Sequence, residues 1–115
     1  TQYAHPRWRR WLKPILEIAE SEHVGFFKKG EGGKAAAAGK TRLGGPIPIN
    51  VSGGLKARGH PVGATGVAQV VDIVWQLRHE LPKNRQVKNA QNGLTVNFGG
   101  FGNNVLAYVL KRVDQ

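Results

Sequence analysis

The sequence contains no cysteine and no methionine. Without cysteine the chain can form no disulfide, offer no thiolate nucleophile and build no thiolate metal site. Four histidines are scattered with no paired acids beside them, so no metal-ligand spacing is present and no metal is expected. Acidic residues are scarce: seven Asp and Glu stand against 17 Lys and Arg, a net charge of +10. That excess favours anionic partners such as phosphorylated cofactors, nucleic acid or an acidic protein face. The cations are dispersed, however, which is the ordinary pattern of a solvated surface. No run approaches the ~20 apolar residues of a membrane span. The basic, polar start lacks the apolar core of a signal peptide, and Val113-Asp114-Gln115 is not a peroxisomal address. The expectation is a soluble, cytoplasmic protein. Thr1 stands where an initiator Met would, so a processed product and a piece of a longer chain are both open.

What is present suits one domain over residues 1–115, with 40% hydrophobic residues to build a core. Residues 1–10 are basic and aromatic and read as irregular. Trp11, Leu12, Ile15, Leu16 and Ala19 recur at helical spacing, with Pro14 in the first turn and Gly25 as the stop. Residues 28–46 are Gly- and Lys-rich and read as a loop, with one helical turn at Lys34–Ala38. Pro46–Val51 alternates and predicts a short strand or extended lead-in. Residues 52–66 hold too many glycines to be one regular element.

Residues 65–79 carry the clearest helical pattern. Val67, Val70, Val71, Val74 and Leu77 mark one face, and Ile73 and Trp75 widen it until the helix is apolar over most of its surface. Such a helix is expected between layers, held by packing rather than propensity. After a polar connection, residues 92–98 and Val105–Leu110 predict two strands joined through a Gly- and Asn-rich turn, a hairpin. The second strand is nearly all apolar, which predicts cover on both faces. The class is α/β.

Chemistry concentrates in Asn50-Val51-Ser52-Gly53-Gly54-Leu55-Lys56-Ala57-Arg58-Gly59-His60-Pro61-Val62-Gly63-Ala64-Thr65-Gly66. Gly59 lets the backbone approach a bound group, and Pro61 fixes the turn that aims the His60 ring. Gly63 and Gly66 leave room for close packing or a ligand. The helix that follows presents N–H groups and partial positive charge to an anion or developing oxyanion. An imidazole there can donate to that oxyanion or take a proton from a nucleophile. A structural histidine in a glycine turn fits the spacing equally well. His23 and His79, at helix ends, read as caps.

Residues 50–66 resemble the thiolase motif, in which Asn-x-x-Gly-Gly precedes a catalytic Gly-His-Pro and Gly-x-x-Gly follows. Val67–Arg78, Gly25–Gly33 and Arg85-Gln86-Val87 also resemble thiolases, especially the sterol-carrier-protein type, so the likeness covers roughly residues 22–112. The resemblance implies a thiolase-like C-terminal half-domain: a buried central helix packed on a mixed sheet, with a C-terminal hairpin. It implies thiolysis of a 3-ketoacyl-CoA or the reverse Claisen condensation, with a coenzyme A thioester as substrate and no covalently bound cofactor. By the same likeness His60 activates a cysteine that must lie outside this sequence and helps hold the thioester oxygen. Asn50, Gly53 and Gly54 shape the loop that carries it.

The chain departs from the family pattern near its end. Asn97-Phe98-Gly99 stands where many thiolases have Cys-x-Gly. Against the His-Asn-x-Gly of the sterol-carrier type, Asn97 and Gly99 match while Val96 replaces the His. Asn97 can orient a water or a carbonyl, but its amide is no general base. Arg10-Trp11-Leu12-Lys13 does not match the family's motif ahead of the first helix.

Three readings follow. The first is an acyltransferase module in lipid metabolism, partnered by acyl-CoA and completed by a larger Cys-containing thiolase chain or a homo-oligomer. The second is a non-catalytic thiolase-like assembly or binding piece. The third, nucleic-acid binding, rests only on charge and the Trp8, Trp11 and arginine start. A helix apolar on most sides would be exposed in an isolated chain, which predicts oligomerisation or a partner.

Overall fold

A computed structural model describes residues 16–100 and 102–113. By its internal contacts the chain falls into two compact units, one up to Lys56 and one from Ala57. The irregular segment expected at 1–10, and the helix start expected near Leu12 or Lys13, lie outside the described residues.

In the first unit, helix α1 is described over residues 16–23. Gly25 ends it as expected, at φ 92°, while Phe26 N–H reaches back to Ser21 O at 3.0 Å. Helix α2 spans Gly32–Ala37, two residues earlier than the single turn predicted at Lys34. The cause is Glu22 of α1. Its carboxylate accepts from Gly30 N–H at 3.0 Å and Gly32 N–H at 2.9 Å, satisfying donors at the start of α2. These two bonds hold the Glu22 carboxyl below the usual carboxylate range, whereas burial, with Glu17 nearby, raises that of Glu20.

Pro46–Val51 is not a strand. Pro46 and Pro48 have no N–H to give to a ladder. Ile47 and Ile49 N–H instead meet Lys40 O and Thr41 O at 3.2 and 3.0 Å. The glycine-rich stretch after it contains a short helix, α3, at Gly54–Arg58, which crosses the boundary between the units.

The second unit is a helix on a hairpin. Helix α4 runs Thr65–Arg78. His79 ends it in the left-handed conformation, with its N–H on Gln76 O, in keeping with the capping reading. Strands β1 (Asn92–Gly99) and β2 (Asn104–Lys111) pair antiparallel, from Asn92 opposite Lys111 to Gly99 opposite Asn104. The α/β class and the terminal hairpin are as expected. Among the described residues, however, the sheet has two antiparallel strands and is not mixed.

α4 is also not buried all round. Its packed side is Gly66, Gln69, Ile73 and Gln76–Leu77, a stripe at three- and four-residue spacing. Ile73 packs against Gly93 of β1 so closely that a Cβ there would collide. Val67 remains 66% exposed and Trp75 45%. β2 is exposed along almost its whole length rather than covered on both faces. The reason is the same in both cases: among the described residues one hairpin offers one layer, so each element buries one side only.

The connection from α4 to β1 is tied by amides. Gln76 donates through Nε2 to Arg85 O and accepts through Oε1 from Val87 N–H, both at 2.8 Å. Gln86 donates back to Gln76 O at 2.8 Å. Arg112, just past β2, donates to Leu77 O at 3.3 Å and closes the far end of the unit.

Candidate functional site

In the second unit the candidate residues gather at the first turn of α4. Gly59, at φ 83°, makes the turn that only a residue without a side chain adopts readily. Pro61 follows, and its carbonyl accepts Ala64 and Thr65 N–H at 3.0 Å each, starting the helix. His60 is exposed, yet its ring is not free to turn. Its Nδ1 lies 2.7 Å from Thr65 Oγ1. Thr65 is 3% exposed, and its hydroxyl also lies 3.0 Å from Pro61 O. The ring is thus pinned by one nitrogen, leaving Nε2 as the unpinned end.

Asn97 of β1 meets the same turn from the sheet side. A Cβ on Gly66 would fall 2.5 Å from Asn97 Nδ2, so only glycine admits the amide there. Gly93, Thr95 and Asn97 alternate along one face of β1, which sets Asn97 toward the helix start. Gln69, one turn along α4, donates to Val96 O at 3.2 Å. Its Oε1 is buried with no hydrogen-bond partner. Gly99 forms the end of β1, opposite Asn104.

Asn50, Gly53 and Gly54 come together in the first unit. Asn50, left-handed at φ 48°, accepts Gly53 N–H at 2.8 Å through its carbonyl. Its side-chain amide donates to Glu17 at 2.9 Å and lies against Gly54. They form one tight turn leading into α3.

An open groove of about 570 Å³ runs along the other side of α4. Gly63, Ala64, Val67, Val71 and Trp75 line it, with the Arg58–Asp72 ion pair, 2.6 Å, at its edge. Both charged groups are part-exposed, so the pair contributes only ~0–1 kcal/mol. Neither His60 nor Asn97 lines this groove. Among the described residues no cluster of three or more metal-ligating side chains occurs, and no helix is long and apolar enough to cross a membrane.

Thr65 is the residue that motif reading passed over. The signal was present: a hydroxyl five positions after a histidine, at the first position of the following helix.

Comparison with known proteins then gives a consistent picture. The family model described as thiolase C-terminal domain-like matches residues 13–112. An acetyl-CoA acetyltransferase of Methanothermobacter thermautotrophicus is 55% identical over 98 residues, 85% of this chain and 25% of that protein. One from Methanocaldococcus jannaschii is 48% identical over 94 residues, 77% of this chain and 24% of that protein. Bovine sterol carrier protein 2 is 46% identical over 83 residues, 72% of this chain and 15% of that protein. The chain therefore spans about a quarter or less of the length of these relatives.

Proposed function

From the premise that this chain belongs to the thiolase C-terminal domain family, we propose that it is the histidine-bearing module of a thiolase-type acyl-CoA acyltransferase. His60 serves a thioester site whose nucleophilic cysteine comes from polypeptide outside this 115-residue sequence, which has no Cys. The substrate class is a 3-ketoacyl-CoA in thiolysis, or two acyl-CoA molecules in the condensing direction. The names of the acetyltransferase relatives support a coenzyme A thioester as substrate. Lipid metabolism in the cytoplasm is the corresponding setting.

The observation that carries the reading is the pinned ring at the helix start. A base must be held within reach of the proton it takes, and a ring tethered by Nδ1 keeps Nε2 in a fixed direction. In the condensing direction, Nε2 takes the thiol proton as the cysteine sulfur adds to the thioester carbonyl carbon; the bond from that carbon to the coenzyme A sulfur then breaks, and the proton passes to the departing thiolate. Asn97 orients a water or the carbonyl from the sheet side of the same turn. Gly59, Pro61, Gly63 and Gly66 shape the turn; Asn50, Gly53 and Gly54 shape the segment that leads to it.

The exposed Val67, Trp75, Val105, Leu106, Tyr108 and Val109 support a partner: a larger Cys-containing thiolase polypeptide or further copies in an oligomer. A second reading, a thiolase-like piece kept for assembly or binding, is favoured by the separation of His60 from the groove.

Reconstitution distinguishes the two. The chain is mixed with a Cys-containing thiolase polypeptide lacking this portion, and acetoacetyl-CoA thiolysis is followed. Activity that appears on mixing and falls by roughly 10²–10⁴ in His60→Ala supports catalysis. Assembly with no activity, or activity indifferent to His60→Ala, overturns it in favour of the binding piece.

A further inference from the structure

We infer that Thr65 is a positioning residue that fixes the tautomer of His60. The argument starts from proton counting. A threonine hydroxyl has one proton to give and two lone pairs to accept with. Thr65 Oγ1 lies 3.0 Å from Pro61 O and 2.7 Å from His60 Nδ1. Thr65 Oγ1 donates to Pro61 O, the back-bond that threonine makes to the carbonyl four residues earlier, beside the Ala64 and Thr65 N–H groups that the same carbonyl accepts. Thr65 Oγ1 then meets His60 as an acceptor. With the hydroxyl proton on Pro61 O, the neutral ring carries its own proton on Nδ1, and Nε2 is left with a lone pair.

That assignment decides what His60 can do. Neutral imidazole in water favours the other tautomer, with the proton on Nε2. A ring in that form presents a donor outward and cannot accept a thiol proton. The Nδ1–H form presents a base outward. Thr65 can impose it because the threonine itself is immobile: it is 3% exposed and sits at the first position of α4. The inference rests on the proposed catalytic role of His60 for its purpose, but the tautomer can be read without catalysis.

The test is a long-range ¹H–¹⁵N correlation of the histidine rings in this chain, with the pH raised until the ring signals stop moving, so that neutral rings are compared. His60→Gln identifies the His60 signals among the four histidines. Nδ1–H is expected to predominate in the wild type and in Thr65→Ser, which keeps the hydroxyl. Thr65→Val is expected to shift the ring toward Nε2–H. Nε2–H predominating in the wild type overturns the inference, as does a Thr65→Val ring indistinguishable from it. Should Thr65→Val not fold, which the hairpin amide signals reveal, the wild-type measurement still decides.

In the reconstituted enzyme Thr65→Val is expected to lower kcat by roughly ten- to a hundredfold with little change in KM, and Thr65→Ser to restore it. A tautomer that shifts while kcat stays constant would overturn the catalytic reading of His60 and leave the Thr65 assignment standing.

Discussion

Along α4, the side that meets the hairpin carries Gly66, Gln69, Ile73 and Gln76, whereas the opposite side holds Val67, Val71 and Trp75 in the open. An isolated small protein normally shows the reverse, with its branched apolar residues inward. Here the inward side is fastened by side-chain amides to backbone groups, and by close approach where the residue is small. The outward side is apolar without a described partner layer. Hydropathy therefore marks where α4 is sticky, while the amides and glycines mark where it is already held. The inward side belongs to the folding of this unit; the outward side, on the proposed function, belongs to assembly.

Three substitutions test that division, and a fourth probes the first unit, in order of expected effect. Gln76→Leu leaves Arg85 O and Val87 N–H without their partner at the tied connection. A loss of about 2 kcal/mol is expected in urea unfolding, since two part-buried hydrogen bonds to backbone groups are lost. A loss below half a kilocalorie would mean that the connection is held some other way. Gly66→Ala forces a methyl against the Asn97 amide. The side chain can shift, so about 1–2 kcal/mol is expected by the same measurement. The larger consequence in a reconstituted enzyme is displacement of Asn97.

Val67→Ser should lie within about 0.5 kcal/mol of wild type in this chain, because Val67 is already 66% exposed. Its effect should surface only in sedimentation or partner binding. Strong destabilisation of the isolated chain would erase the distinction between the two sides.

The smallest effect concerns the first unit and acid. The Glu22 carboxyl is held low by two backbone donors, so its folded value is depressed relative to the unfolded chain. Its stabilisation is present above the ordinary carboxylate value and fades as pH falls through the depressed one. Glu20, raised by burial, has the opposite sign: protonation on acidification relieves a penalty. Glu22→Gln should therefore flatten the acid limb of the pH–stability curve while leaving amide exchange in the hairpin unchanged.

Much of this was legible in the sequence. The ends of α4, its C-terminal cap and the hairpin follow from periodicity, turn chemistry and the Gly99–Asn104 turn. The motif around His60, and the family with it, could be read directly because they are contiguous. What failed depended on contacts made elsewhere. The alternation at Pro46–Val51 suggested a short strand or an extended lead-in; the strand is ruled out because two prolines withhold donors from any ladder. The apolar residues of α4 identified the helix correctly, and Ile73 and Leu77 do lie on its packed side, but the cover expected between layers is present on one side only among the described residues. Thr65 was hidden because its relation to His60 is a geometry across one turn, where the eye follows the glycines.

The amide clasp between Gln76 and the connection acts as a ruler for the strand that follows. Arg85 and Val87 are anchored, so the residues from Val87 to Asn92 set which of β1's side chains look at the helix. Deleting one of them would turn the strand over by one position, presenting Val96 or Phe98 to Gly66 and sending Asn97 to the other face. The polar group at the helix start is thereby chosen by a count of residues far along the chain.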